Sequence, residues 1–310
     1  MTEFEMDASQ EAVAHASSED RQYVVAGAGQ GKTQVLVSRI EHLVENGGLN
    51  PADEILVLSF SRAAVEAARS RAAAAEVDQV TVRTFDSLAS AILLDLDDDE
   101  SFRSLSFDKR IQRATALLKE HGLPDFLAEL KHLCVDEAQD LVGDRAQLVI
   151  AIIEGADDEL GLTFLGDPLQ GIYDFQLGDS MAKTSARDLF RSLLDDFGAT
   201  RRELEINYRA RSQRAKDLVV VGNRLRDMGF GNSVMDETAY RHLEEFRSEE
   251  PTSGSFLDVT SVLDPAPETG AILCGTNYEV LILSEQLDAA GWPHSVRRRA
   301  RDLGVPTGFG

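Results

Sequence analysis

The chain has 310 residues, of which 43% are hydrophobic and 27% are charged, as is ordinary for a folded protein with a substantial core. Two cysteines, Cys134 and Cys274, exclude a disulfide-stapled secreted scaffold, and neither has a partner at metal-ligand spacing. Without an apolar run of about 18 residues, and with an acidic N-terminal segment, we expect a cytoplasmic protein that contacts no membrane. The net charge of −23 disfavours nucleic-acid binding except through a local positive groove.

Short apolar runs alternate with helical patterns through the first two thirds of the chain. Strands are predicted at 23–26, 55–60, 80–82, 133–136 and 162–166, and helices at 32–45, 63–75, from 84 onward and at 146–153. Apolar strands that are each followed by a helix are typical of a parallel sheet covered on both faces. The pattern therefore predicts an α/β fold.

The remaining segments depart from this alternation. Residues 95–130 begin with a run of acidic residues and continue with helical patterns, which predicts a small helical insertion. Residues 231–268 are polar and rich in Pro, Ser and Glu, which is typical of an irregular linker. Beyond it, 271–274, a helix at 278–290 and 292–296 are interpreted as one more βαβ unit, too small to be a whole domain.

A glycine-rich loop lies between the first predicted strand and its helix. Its sequence, Ala26-Gly27-Ala28-Gly29-Gln30-Gly31-Lys32-Thr33, differs from the phosphate-loop motif only in having alanine at the first position. Backbone N–H groups of Ala28, Gly29, Gln30 and Gly31 can form an anion-binding nest at the start of a helix. Lys32 would reach the β- and γ-phosphates and the Thr33 hydroxyl would hold Mg²⁺. The alternative is an ordinary glycine-rich turn.

Two carboxylates follow the apolar strand at 133–135. Parallel sheets bind ligands at the carboxyl ends of their strands, where Asp136 would hold Mg²⁺ through its waters. Glu137 would then orient or deprotonate an attacking water. Taken alone, such a pair is most often a solvated turn, but the phosphate loop upstream favours the functional interpretation.

An ordered series of segments resembles the UvrD/Rep type of superfamily 1 helicases, well over residues 6–212 and loosely over 270–296. The segments are 6–13, 26–33, Leu58 to Ala64, Thr84 to Leu88, Val135 to Asp140, Gly166 to Phe175 and Leu204 to Arg209. The resemblance implies a RecA-like P-loop core at 1–94 and 131–205, with a partial second α/β core domain at 206–310. It also implies ATP and Mg²⁺ as cofactors and single-stranded DNA as a partner.

The same resemblance implies particular roles for site residues. Gln10 would read the adenine edge, and Tyr208 would stack on the base. Gln170 would contact the γ-phosphate, and Arg209 would stabilise charge on the transferred phosphoryl group. Aromatic side chains would stack on single-strand bases; these are Phe60, Phe85, Tyr173 and Phe175. For Phe60 and Phe85 a place in the core is an equally open alternative, since phenylalanine at a strand end is usually buried.

The chain also departs from the family pattern. Gln34, which we include among the nucleotide-contacting residues, stands where the family usually has arginine, and Asp174 and Gln176 flank Phe175 where arginines are common. Residues 201–226 carry eight basic against three acidic residues, which suits a phosphate or nucleic-acid surface or a solvated helix face. Residues 297–310 offer no second set of motor motifs. An arginine finger contributes about 10³–10⁵ in rate, so we expect slow ATP turnover unless a further domain or a protein partner supplies one.

The sequence is consistent with two functions. The first is the ATP-hydrolysing motor portion of a DNA helicase or translocase. The second is a nucleotide-binding switch that regulates a partner protein without unwinding DNA. The set of Lys32, Asp136, Glu137, Gln170 and Arg209 favours the first.

Overall fold

The computed structural model describes residues 5–59, 80–97, 99–171, 184–227 and 276–296, with isolated residues between 237 and 274. The helices are α1 (Ala8–Ala14), α2 (Lys32–Glu45), α3 (Phe85–Leu96), α4 (Phe107–His121), α5 (Asp144–Gly155), α6 (Ala186–Asp195), α7 (Gln213–Asp227) and α8 (Asn277–Ala289). The strands are β1 (Arg21–Val25), β2 (Ile55–Ser59), β3 (Thr81–Thr84), β4 (His132–Val135), β5 (Gly161–Gly166) and β6 (Thr200–Glu203). Short 3₁₀ turns lie at Glu100–Ser104, Asp125–Leu127, Ala138–Asp140 and Pro168–Gln170.

These strands form one sheet in the order β3-β2-β4-β5-β1-β6, and every pair of neighbours is parallel. The predicted α/β fold with a parallel sheet is confirmed. Because the strands run the same way, the loops that follow β1, β4 and β5 leave the sheet at one edge, with β5 between the other two strands. This edge carries the glycine-rich loop and the acidic pair.

Side chains of each central strand alternate between two apolar layers. In β1, Tyr23 and Val25 face the layer that includes α3, α4, α5 and α6, whereas Val24 faces the layer that includes α2. Strands buried on both faces explain why their sequences are runs of apolar residues with little alternation. The sheet is thus the rigid support on which the edge loops are placed.

Local signals account for where several helices begin. Gly31 is the N-cap of α2 at φ 86°, which allows the chain to turn directly from the loop into the helix. Thr84 caps α3 by accepting a hydrogen bond from the Ser87 N–H. The predicted helix at 32–45 and helix start at 84 are confirmed, and the one at 146–153 lies within α5. The alanine-rich segment at 63–75 lies outside the described residues.

The predicted insertion at 95–130 contains α4 between two 3₁₀ turns. Ile111, Ala114 and Leu118 of α4 are buried in the same apolar layer as α3 and α5. This segment therefore belongs to the core of the first unit.

The chain divides into two compact units, residues 1–243 and 244–310. The first unit includes α7, whose Arg226 forms an ion pair with Asp167 after β5. The domain boundary at 206 stays a prediction. In the second unit α8 confirms the helix predicted at 278–290. The strand predicted at 292–296 is wrong: these residues have no regular structure, and the Trp292 N–H instead bonds to the Leu287 carbonyl at the helix end.

Among the described residues, no helix combines the length and the apolar character that crossing a membrane requires.

Candidate functional site

The glycine-rich loop adopts a conformation that only glycine tolerates well at two positions. Gly29 and Gly31 have φ of 83° and 86°, in the left-handed region. A Cβ on Gly31 would lie 2.5 Å from Nε2 of Gln10, and one on Gly29 would lie 2.5 Å from Cβ of Arg209. Left-handed turns between a strand and a helix N-terminus are the geometry of a backbone anion nest.

Gln30 braces this loop from within. Its side chain is buried, accepts a hydrogen bond from the Gly27 N–H and donates one to the Leu204 carbonyl at 2.6 Å. On the outer side of the loop, Asn207 donates to the Ala28 carbonyl at 2.7 Å and the Tyr208 N–H donates to the Gly29 carbonyl at 2.9 Å. The loop is therefore tied to the segment that follows β6.

Lys32 and Glu137 are brought together across the edge of the sheet. The Lys32 ammonium donates to the Ala26 carbonyl at 3.2 Å and lies 3.8 Å from Oε2 of Glu137. The lysine side chain is only 10% exposed, so its charge lies against the loop and away from bulk water. This contact joins the loop after β1 to the loop after β4.

The loop after β4 holds its acids in a constrained arrangement. Asp136 is buried, and its carboxylate accepts a hydrogen bond from the Glu137 N–H at 3.0 Å. Glu137 has a left-handed backbone, with φ 53° and ψ 47°. The Gln139 amide donates to Oε2 of Glu137 at 2.9 Å. The Lys32 ammonium and the Gln139 amide thus both approach the same carboxylate oxygen of Glu137, Oε2.

Asp140 is a titratable residue of this loop to which the sequence assigns no role. Burial raises the pKa of Asp140 to about 6, and the nearby Glu137 carboxylate acts in the same direction. Carboxyl groups with strongly perturbed pKa values concentrate in functional sites, because catalytic acids and bases need pKa values matched to their task. A run of three acids within five residues was the available sequence signal.

Asp167 connects the loop after β5 to the same edge. Its N–H donates to the Gln139 side chain, and its carboxylate accepts from the Gln170 amide, each at 2.9 Å. The carboxylate also forms a bidentate pair with the guanidinium of Arg226, at 2.9 and 2.8 Å. Asp167 is 1% exposed. Sequence reasoning missed both members of this pair; the only signal for Arg226 was the basic excess at 201–226.

Residues predicted to read the base lie together at the side of the loop. Gln10 is buried and its amide donates to the Gln30 carbonyl at 3.1 Å. The Tyr208 hydroxyl donates to Asp7 at 2.7 Å and lies 3.4 Å from Oε1 of Gln10. Burial raises the pKa of Tyr208 to about 12, and the bond to Asp7 adds to that effect. The ring of Tyr208 is therefore positioned by its hydroxyl.

The other predicted site residues fall into three groups. Thr33 and Gln34 lie half-buried in the first turn of α2, and Arg209 is an exposed residue beside Gly29. Phe85 requires a correction: it is 2% exposed and packs in the core, so its ring is not available to stack on a base in this conformation. Phe60, Tyr173 and Phe175 lie outside the described residues.

A glycine-rich loop between the first strand and its helix, facing an acidic pair after another strand of a parallel sheet, defines a RecA-like P-loop protein. A family model described as the UvrD/REP helicase N-terminal domain matches residues 6–100 and 96–190. The chain belongs to the UvrD/REP helicase family.

Individual relatives share parts of the chain. The R568 protein of Acanthamoeba polyphaga mimivirus is 30% identical over 195 residues, which is 60% of this chain and 26% of that one. DNA helicase IV of Escherichia coli strain K12 is 32% identical over 126 residues, 40% of this chain and 17% of that one. A crystal structure of the Pif1 helicase from Candida albicans aligns with a TM-score of 0.47 at 17% identity, over 92% of this chain and 55% of that one. The chain thus spans about a quarter or less of the two curated relatives.

Proposed function

We propose that this chain is the ATP-binding and ATP-hydrolysing motor portion of a UvrD/Rep-like DNA helicase or translocase that acts on single-stranded DNA. The observation that carries the proposal is the approach of the Lys32 ammonium to within 3.8 Å of the Glu137 carboxylate, beside the turns of the glycine-rich loop. A lysine that can bind phosphate and a carboxylate that can orient water therefore lie together beside the loop.

Oxygen atoms of the kind that Mg²⁺ binds are present in the buried Asp136 carboxylate and the Thr33 hydroxyl. Mg²⁺ in nucleotide sites uses one or two protein oxygens and completes its shell with phosphate oxygens and water. Asp136, at the carboxyl edge of the sheet, and the hydroxyl of Thr33, at the start of α2, would hold it. When bound, Mg²⁺ neutralises charge that develops on the β- and γ-phosphates.

The chain's own residues would divide the remaining work. Backbone N–H groups from Ala28 to Gly31 and the Lys32 ammonium would bind the phosphates. The Glu137 carboxylate, fixed by Gln139, would accept a proton from the attacking water. Gln170 would contact the γ-phosphate and Arg209 would stabilise the developing charge.

The base would be held at the side of the loop by two residues. Gln10 already hydrogen-bonds to the loop backbone, and a side-chain amide can pair with the edge of adenine. Tyr208 offers an aromatic face whose position is fixed by Asp7.

The nucleic-acid part of the proposal rests on the relatives and on local charge. DNA helicase IV is named for action on DNA, and residues 201–226 of this chain are locally basic within an acidic chain. A positively charged groove with aromatic residues is the usual way to bind single strands. Phe60, Tyr173 and Phe175 remain the proposed stacking residues.

The test is ATP hydrolysis by the 310-residue chain with Mg²⁺, with and without an oligothymidine strand. We expect hydrolysis that the strand stimulates and that Lys32→Ala and Glu137→Gln each reduce by at least tenfold. The matched controls are Lys109→Ala and Glu159→Gln, which change exposed residues outside the loops that follow β1, β4 and β5. ATP binding with no effect of the strand would favour the regulatory switch, and hydrolysis that survives Lys32→Ala would contradict the proposal.

A further inference from the structure

Arg226 is held beside the glycine-rich loop by an ion pair with Asp167. The roles proposed above for the nucleotide site do not use this pair. Its guanidinium donates from Nε and Nη2 to the two carboxylate oxygens of Asp167 at 2.9 and 2.8 Å. The side chains are 13% and 1% exposed. A bidentate, largely buried pair of this kind fixes the orientation of the guanidinium.

The same guanidinium lies against the glycine-rich loop. A Cβ on Gly27 would be 2.6 Å from Nη2 of Arg226 and 3.0 Å from its Cζ. Lys32 donates to the carbonyl of Ala26, the preceding residue. Two cationic side chains, one from α2 and one from α7, therefore reach adjacent residues at the start of the loop.

Asp167 is the group that balances the second cation. Besides Arg226, its carboxylate accepts hydrogen bonds from the Gln170 side chain and the Leu169 N–H. These donors continue to stabilise the carboxylate if the guanidinium moves away. A triphosphate carries several negative charges and binds guanidinium in the same bidentate way, so it can compete with Asp167 for Arg226.

We propose that Arg226 is a further phosphate-binding residue of this site, supplied by α7 and exchanged between Asp167 and the phosphates of the bound nucleotide. The inference rests on the proposed function, since it needs a nucleotide in the loop. Asp167 acts as the competing anion. The exchange links the occupancy of the loop after β1 to the position of α7, because Arg226 is itself a residue of that helix.

If Arg226 exchanges between Asp167 and the phosphates, substitutions of the two residues should change the affinity for ATP in opposite directions. Arg226→Gln removes the cation and should weaken ATP binding about tenfold, with a smaller effect on AMP, which has a single phosphate. Asp167→Asn removes the competitor and should strengthen ATP binding severalfold. The control is Arg224→Gln, an exposed arginine on the same helix, which should leave both affinities unchanged. Calorimetric titration of each variant of the 310-residue chain with ATP and with AMP provides the measurement.

A double variant, Asp167→Asn with Arg226→Gln, guards against misfolding because it leaves no unpaired buried charge. It should bind ATP as weakly as Arg226→Gln. If the pair is only structural, both single variants lower the unfolding temperature while the double variant binds ATP like the wild type, and the inference is overturned. If the wild type itself binds no ATP, both the proposed function and this inference are contradicted. If the wild type binds and Lys32→Ala does not, equal affinities for Arg226→Gln and Arg224→Gln overturn this inference alone.

Discussion

Glu137 occupies a backbone conformation that an ordinary residue adopts at a cost. Among the residues that the structure describes, it is the one non-glycine with positive φ, at 53°. The left-handed conformation costs an L-residue roughly 1–2 kcal/mol relative to the right-handed one. Strain of this kind is retained where a side chain has to be presented at a fixed place. Here the strain turns the Glu137 carboxylate toward Lys32.

This strain predicts that a substitution at Glu137 can abolish activity without lowering the stability of the fold. Glu137→Gly relieves the left-handed strain, so the free energy of unfolding should stay constant or rise by up to about 1 kcal/mol. ATP hydrolysis should nevertheless be lost, since the carboxylate is gone. Urea denaturation and a phosphate-release assay measure the two effects. Glu159→Gly, outside the left-handed region, should instead lose stability; a similar loss at Glu137 would contradict the strain argument.

Asp140 predicts a pH effect on stability. Its pKa of about 6 in the fold lies above the value near 3.9 of an unfolded chain, so the folded state binds more protons between about pH 4 and pH 6. Stability contributed by this group is therefore lost as the pH rises through that window. Asp140→Asn should stabilise the protein at pH 7.5 and much less at pH 4. The measurement is chemical denaturation at both pH values in the presence of EDTA, with the exposed Asp195→Asn as the control. Equal effects of Asp140→Asn at the two pH values would contradict the assignment.

At the residue scale, local motifs and tertiary pairs differ in how far sequence predicts them. Lys32 and Glu137 were predictable, because each follows a strand and the strands of a parallel sheet end at one edge. The Asp167–Arg226 pair was not, since the two residues are 59 positions apart and meet only through the packing of α7. For Phe85 the sequence leaves base stacking and the core equally open, and the structure places it in the core.

The elements were predictable where one physical signal determined them. β4 contains the apolar run Leu133-Cys134-Val135 and is buried on both faces, and α2 begins directly after Gly31, so the apolar pattern and the glycine were sufficient. The segment at 292–296 contains Pro293, which has no backbone N–H to donate, and among the described residues it has no neighbouring strand to pair with. Strand formation depends on such a partner, which the sequence of the segment does not contain.

Burial of α4 predicts that the segment at 95–130 contributes to the stability of the first unit. Ile111 is fully buried in the layer shared with α3 and α5, so Ile111→Ala should cost about 2–5 kcal/mol. Leu94→Ala on α3, where the side chain is 63% exposed, should change stability by about 0.5 kcal/mol or less. Chemical denaturation of both variants is the measurement. Similar small losses would mean that α4 is an independent appendage.

The whole molecule is strongly negative, whereas the glycine-rich loop carries a local concentration of positive charge. A net charge of −23 repels polyanions at a distance, whereas the fold brings Lys32 and Arg226 to adjacent residues of one loop. Binding of a polyphosphate must therefore come from this local arrangement, with the backbone N–H groups beside it. The sequence predicted the loop and the sign of the background, but the convergence of two cations required the assembled sheet and α7.

The central claim is that the glycine-rich loop and Lys32 bind the phosphates of a nucleotide. Calorimetric titration of the full chain with ATP and Mg²⁺ tests it most directly. The structure predicts one site per chain with a dissociation constant of about 1 μM to 1 mM, the usual range for enzyme substrates, and a loss of at least tenfold in Lys32→Ala but not in Lys109→Ala. Absence of binding by the wild-type chain at millimolar ATP, or equal affinity in Lys32→Ala, would contradict it.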